Sequence, residues 1–287
     1  MGTVLITGAS TGIGRATALR LAGSGWTVLA GVRDPAAGEG LAAAANGAGG
    51  GVIPLTLDVT ASSQIAEAAE FIREQTSASA TSPAGGLDAL VNNAGVGAGG
   101  PLELVSLEEL RAHFDVNFFG QVAVTQALLP ALRAARGRIV LVSSIGGRVA
   151  VPFSAPYGAS KHAIEAVGDA LRGELHSSGI HVSLVEPGSV KTPIWSKSRA
   201  DAQRIQIPPE LQSEYGRVPA AFAKALSDTE RRGISPERVA ATIERALTSR
   251  RPRSRYLVGA DAHGMVLART LLPSGVFDRA IRRALGI

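Results

Sequence analysis

Cysteine is missing from the 287 residues, which rules out disulfides and thiolate chemistry and makes a cytoplasmic setting the expectation. Aromatic residues are scarce, at 4% of the chain. That scarcity bears on the one dense basic run, Ser249–Arg255. A nucleic-acid surface needs aromatic or helical readout elements beside its charge, and only Tyr256 lies near, so the run reads as solvated surface and no nucleic-acid partner is expected. No stretch approaches the ~18 unbroken apolar residues of a membrane span. Histidines at 113, 162, 176, 181 and 263 show no metal-ligand spacing, which argues against a metal site. Met1 leads straight into a strand-like run, leaving no room for a cleavable signal, and Ile6 breaks the acylation pattern that Gly2 suggests.

What the chain does have is alternation. Short apolar runs at Thr3–Thr7, Thr27–Val32, Val52–Leu57, Ala89–Asn92, Arg138–Ser143, His181–Val185 and Arg255–Val258 predict strands. Helix-period stretches at Ile13–Ala22, Ser63–Glu74, Leu107–Ala135, Tyr157–His176 and Pro236–Thr248 fall between them. Ser106 with Glu109 forms a capping box, and Ser235 precedes a proline at a first helical position. The Gly- and Ala-rich stretch Pro35–Gly50 predicts a poor helix, and Thr76–Gly86 a surface loop. Such alternation implies one doubly wound α/β domain over residues 1–287, with a parallel seven-stranded sheet and helices on both faces.

Three glycines, Gly8, Gly12 and Gly14, separate the first strand from the first helix. They fit either a tight turn or a backbone cradle for a phosphate, where amide N–H groups and the positive helix end meet an anion. In an open parallel sheet, ligands bind beyond the carboxyl ends of the strands, which favours the cradle. Tyr157 and Lys161 stand four residues apart, on one helix face. Taken alone they could be an ordinary surface pair.

"TGASTGIG" (Thr7–Gly14), "NNAG" (Asn92–Gly95) and "YGASK" (Tyr157–Lys161) stand in order, and together they closely resemble the short-chain dehydrogenase/reductase family. The resemblance covers residues 3 to about 192 and points to the compact Rossmann branch. "VRDP" and "VEPGSVKTP" look like its 17β-hydroxysteroid and retinol dehydrogenase-like members. The resemblance implies NADP(H) or NAD(H) as cofactor and interconversion of an alcohol with its ketone or aldehyde. It places Gly8, Ser10, Thr11, Gly12, Ile13 and Gly14 on the pyrophosphate side. Asp58, with Val59, would take the adenine, although Asp58 also fits a helix N-cap region. Asn93, Ala94 and Gly95 would line the adenine-ribose side. Pro187, Gly188, Val190 and Thr192 would meet the nicotinamide.

For the chemistry, the resemblance implies Tyr157 as acid/base, Lys161 as the ammonium that favours its phenolate, and Ser144 as partner of the substrate oxygen, with Ser143 as competitor. It implies that Asn117 kinks its helix and holds a water on a proton path. A dinucleotide sensor of the same fold is the alternative, but a sensor has no need of Ser144, Tyr157 and Lys161 together. Val32 stands where NAD-users carry aspartate, and Arg33 could pair with a 2′-phosphate, so NADP(H) is the expected preference. Asp34 then begins the turn with Pro35.

Residues 192–233, without strand pattern but with Trp195, Ile205, Ile207, Leu211, Tyr215 and Phe222, predict a lid over a lipophilic substrate; a static helical flap is the alternative. Trp195 is the substrate-contact candidate there. The amphipathic tail at 260–287, with Leu267, Leu271, Phe277, Ile281 and Leu285, is expected to pack on the core or on a sister subunit. The family implies a homodimer or homotetramer through its long helices.

Overall fold

Val4 and Ile6 pack on one side of the first strand and Leu5 on the other, the alternation expected of a parallel strand covered on both faces. The computed structural model describes residues 2–77, 86–97 and 99–286, with the side chains of 202 and 203 left aside. Its strands are β1 (Thr3–Thr7), β2 (Thr27–Val32), β3 (Gly51–Thr56), β4 (Ala89–Asn92), β5 (Arg138–Val142), β6 (His181–Pro187) and β7 (Arg255–Val258). All run parallel in the order β3-β2-β1-β4-β5-β6-β7. The order reverses between β1 and β4, which opens a crevice above their carboxyl ends.

One face carries α1 (Gly12–Gly23), α2 (Pro35–Ala44) and α10 (Pro236–Thr248), which bury Leu21, Leu41 and Ile243. The other carries α3 (Ser62–Ser77), α5 (Gly120–Ala135) and α6 (Ala155–Glu174), which bury Ile72, Leu132 and Ile164. The remaining helices are α4 (Leu107–Phe114), α7 (Ile194–Gln203), α8 (Gln212–Tyr215), α9 (Val218–Arg232), α11 (Ala260–Leu271) and α12 (Ser274–Leu285). Among the described residues, no helix is long and apolar enough to cross a membrane.

Three expectations need correction, and the tail answers a fourth only in part. The helix foreseen over Leu107–Ala135 is interrupted by a turn of π-helix, Asp115–Phe119, between α4 and α5. Pro35–Gly50 is a regular helix as far as Ala44. Asp34 caps it by accepting a hydrogen bond from Ala36 N at 3.0 Å, so capping and packing outweigh its glycine content. Of the Thr76–Gly86 loop, Thr76 and Ser77 complete α3, and residues 78–85 lie outside the described residues. In the tail Phe277 is buried beneath the Arg269 guanidinium, 5.6 Å from its ring, whereas Leu267 and Leu271 are 58% and 70% exposed. Phe277 thus meets the core half of the expectation, and those two leucines do not.

The glycines of α2 provide a matched test. A Cβ on Gly38 would stand 2.7 Å from Pro54 Cβ and 3.0 Å from Val32 Cγ2, while one on Gly40 meets nothing within 4 Å. Gly40→Ala should therefore stabilise the protein by about 0.5–1 kcal/mol, because the helix gains propensity at no steric cost. Gly38→Ala should destabilise it, and urea denaturation of the two variants checks both signs.

Candidate active site

The glycine loop is shaped by close approach. Gly8 and Gly12 take positive φ, +64° and +54°, where a side chain would be strained. A Cβ on Gly14 would fall 2.2 Å from Gly8 O, so α1 packs directly on the loop. Thr11 precedes α1, but its side chain makes no capping bond, and the first turn contains no acid. Ser10 is half-buried, Thr11 is exposed, and Ile13 packs against the sheet core. The amides at this helix start fit a dinucleotide pyrophosphate, which needs donors, positive potential and a backbone it can approach.

β1 and β4 are cross-braced beside the loop. Thr7 Oγ1 accepts from the amides of Asn93 and Ala94, each at 3.0 Å. Asn93 Nδ2 donates back to Thr7 O and Gly8 O, also at 3.0 Å. Gly95 lies between Asn117 Oδ1 and Lys161 Nζ, which would be 3.3 and 3.7 Å from a Cβ placed there. Asn117, fully buried in the π-turn, accepts from Val96 N at 2.8 Å and donates to Val96 O at 2.9 Å and to Ser160 Oγ at 3.1 Å. Its side chain thus ties the segment after β4 to α6.

Tyr157 and Lys161 occupy the first turns of α6, and Ser144 follows β5. Lys161 Nζ lies 5.9 Å from the Tyr157 ring centroid and donates to Val142 O at 2.9 Å. Burial pulls the ammonium down to about 8, with the negative charge of Glu165 opposing. Burial likewise pushes the Tyr157 phenol above its ordinary value, and only the Ser144 hydroxyl draws it back. In the chain alone, desolvation of the phenol outweighs the pull expected from Lys161, an expectation that also invokes the positive ring of an oxidised nicotinamide. Ser144 Oγ accepts from Gly146 N at 3.0 Å, while the buried Ser143 hydroxyl has no partner among the described residues.

Other candidates ring this centre. Val32, at the end of β2, is buried and offers no acceptor, and Arg33 beside it is exposed. Asp58 Oδ1 accepts from Thr60 N at 2.9 Å and from Thr60 Oγ1 at 2.7 Å. Burial raises its carboxyl, but those bonds and the Arg33 charge bring it below the usual value. Val59 packs against Gly120, where α5 begins. After β6, Gly188 N donates to Val258 O at 2.9 Å, and Val190 bridges Ile234. Thr192 Cγ2 would lie 3.1 Å from a Cβ on Gly12, so the segment from Pro187 to Thr192 reaches the glycine loop. Trp195 Nε1 donates to Val190 O at 2.5 Å.

The short chain dehydrogenase family model matches residues 2–203. This chain belongs to that family. It is 38% identical over 199 residues, 68% of this chain and 69% of the relative, to an NADPH-dependent 3-dehydrocapnine reductase of Ornithobacterium rhinotracheale. It is 35% identical to retinol dehydrogenase 5 of Mus musculus, over 97% of this chain and 87% of the relative. A short chain dehydrogenase/reductase from Burkholderia phymatum, solved in complex with NAD, superposes with a TM-score of 0.78 at 27% identity, covering 94% of this chain and 92% of that one. The chain is accordingly an NAD(P)-dependent oxidoreductase acting on alcohol or carbonyl groups.

Sequence reading missed three parts of this dehydrogenase. Thr7 carries the β1–β4 brace, and a hydroxyl ending an otherwise apolar strand was the available signal. The glycines after Gly95 let the later helices settle on the β4 loop. A Cβ on Gly97 would meet Ser198 and Ile194, one on Gly99 would meet Phe222, and one on Gly100 would meet Ile205. Arg255 was read as part of a solvated basic run, yet it pairs with Glu165, Asp169 and Glu186, while Arg250, Arg251 and Arg253 are exposed.

Proposed function

We propose that this dehydrogenase interconverts a lipophilic ketone or aldehyde and its alcohol, using Tyr157 as acid/base and preferring NADP(H) to NAD(H). The observation that carries the reading is the meeting of Tyr157, Lys161 and Ser144, with Lys161 set against Gly95 of the β4 loop that is braced to the glycine loop. A bound nicotinamide supplies or accepts the hydride. A Tyr157 phenol raised by burial is protonated at neutral pH, which suits it to donate a proton to a carbonyl oxygen. Ser144 can hold that oxygen by hydrogen bonding, and the Lys161 ammonium stabilises the phenolate left behind. Asn117 joins the catalytic group by fixing the segment after β4 against α6. Tyr157→Phe should keep dinucleotide binding but lose turnover by about 10²–10⁴-fold. Near-normal kcat in that variant would sink the acid/base assignment, and tight dinucleotide binding with no turnover of any carbonyl by the unmutated enzyme would favour a sensor.

The cofactor preference rests on β2. Val32 offers the 2′-hydroxyl no acceptor, the exposed Arg33 can meet a 2′-phosphate although its charge also acts on Asp58, and the Asp34 carboxylate is engaged in capping α2. Val32→Asp should move the ratio of kcat/KM toward NAD(H). Wild-type enzyme already favouring NAD(H) would contradict the preference.

Residues 192–233 form the substrate lid in this reading. Phe222 and Leu226 are buried with Trp195, Ile205 and Phe153 in a cluster separate from the two sheet cores, an apolar lining suited to a lipophilic substrate. Retinol dehydrogenase 5 among the relatives is named for such a substrate. Ile207, Leu211 and Tyr215 are not in the cluster, and the Tyr215 hydroxyl bonds Glu103 at 3.0 Å. A cytoplasmic homodimer or homotetramer across α4, the π-turn and α5, where Leu107 of α4 and Phe119 of the π-turn stand exposed, completes the proposal. Trp195→Ala and Phe222→Ala should raise KM for bulky ketones more than for small ones. Equal changes for both sizes would remove the lid's role in selection.

A further inference from the structure

The segment from Pro187 to Thr192 follows β6 with one charged side chain, Lys191, so backbone hydrogen bonds set its path. On one flank, Ile234 N donates to Ser189 O and Lys191 N donates to Ile234 O, each at 2.9 Å. A Cβ on Gly233 would stand 3.0 Å from Lys191 N, so the chain before α10 lies close against the segment. Toward β7, Gly188 N donates to Val258 O at 2.9 Å. The next amide is satisfied differently. Ser189 N donates to a side chain 72 residues on, Asp261 Oδ2, at 2.7 Å.

Asp261 stands in the first turn of α11, and two glycines seat it. A Cβ on Gly188 would strike both carboxylate oxygens, and one on Gly259 would strike Oδ1. Gly259 also takes φ +112° where the chain leaves β7 for α11, a conformation that would strain a side chain. The carboxylate thus occupies a notch beyond the ends of β6 and β7 that glycines alone leave open. Holding an exposed side chain in one rotamer costs entropy, and here the notch and the amide hold it together. Its helix is anchored beside it by Ala262, which is fully buried. Charge does not account for the placement. Arg232 of α9 lines the same cleft, yet the carboxylate bonds the amide.

We propose that Asp261 is a positioning residue for the cofactor, holding the Ser189 amide so that the segment Pro187–Thr192 stands where the nicotinamide end docks. The proposal rests on reading that segment as the nicotinamide contact. Thr192, whose Cγ2 would lie 3.1 Å from a Cβ on Gly12, ties the segment to the glycine loop. Asp261 touches no reacting atom and acts through the Ser189 backbone. The candidate contacts of the adenine half stand elsewhere, at Arg33 and Asp58, so the brace bears on one half of the dinucleotide. A ring that is loosely seated binds less well and meets the substrate in fewer productive poses.

The test compares the whole cofactor with its adenine half on the full chain. NADPH and adenosine 2′,5′-bisphosphate are titrated against wild type and Asp261→Ala; for an enzyme that favours NADH, NADH and ADP serve in the same way. Asp261→Ala should weaken NADPH binding by about 3–10-fold, the loss of one charge-assisted bond near solvent, and leave bisphosphate binding within about twofold. Asp261→Asn keeps an oxygen of the same reach for the Ser189 N–H and should restore most of the NADPH affinity. Asp261→Glu keeps the charge, but its extra methylene does not fit between Gly188 and Gly259, so it should not restore it. Equal weakening of both ligands, or unchanged NADPH binding, in a folded Asp261→Ala overturns the proposal. Rescue by glutamate and not by asparagine overturns it in favour of a charge effect, and that contrast decides the matter even if the alanine variant does not fold. Thr192→Ala tests the underlying placement in the same titrations. Unchanged NADPH affinity there refutes the segment as the nicotinamide contact, whereas a loss there beside an unaffected Asp261→Ala refutes the brace alone.

Discussion

The crevice depends on the brace between the carboxyl ends of β1 and β4. Their pairing ends at Ile6 and Val91, and the Asn93 and Ala94 amides beyond it take a side-chain acceptor instead of a ladder partner. Thr7 Oγ1 takes both, and the Asn93 side-chain amide returns two bonds to the β1 backbone. Each bond to a buried group is worth about 1 kcal/mol net and costs more to leave unmade. Fixing Gly8 O in this way also fixes the surface on which Gly14 and α1 rest. The direction of the α1 amides, the attachment of the β4 loop to Asn117 and the setting of Lys161 beside Tyr157 all refer back to it.

Around that frame the electrostatics oppose ionisation. Burial acts against both the Lys161 ammonium and the Tyr157 phenolate. Neighbouring dipoles compensate in part: the Val142 carbonyl for the lysine and the Ser144 hydroxyl for the tyrosine. A dry setting strengthens every interaction with charge that develops during reaction, so groups held by fixed dipoles need little reorganisation.

Much of this was legible in the sequence. Strands β1, β2, β4 and β7 fall on the apolar runs that predict them, and α10 begins at its signalled serine and proline. Period and capping are local properties, and local strings encode them. The resemblance pointed to a kink at Asn117, but its π-helical form was not legible, because it arises where Asn117 bonds Val96 and Ser160, residues remote in sequence. The Arg255 cluster was hidden for the same reason. Its carboxylates come from α6 and β6, and a run of arginines reads as surface until the sheet order sets β7 against β6. Likewise Gly38 looks like a helix-breaker until Pro54 is seen against it.

The π-turn at Asp115–Phe119 also sets the phase of everything after it. A helix advances about 100° per residue, so one residue more or fewer between α4 and α5 turns their faces relative to each other by that angle. Removing a residue there would regularise the local hydrogen bonding, yet it would rotate Val124, Leu128 and Leu132 out of the core they fill. The site and the sheet packing thus share one register, and the chain tolerates a length change in this helix only at the expense of both.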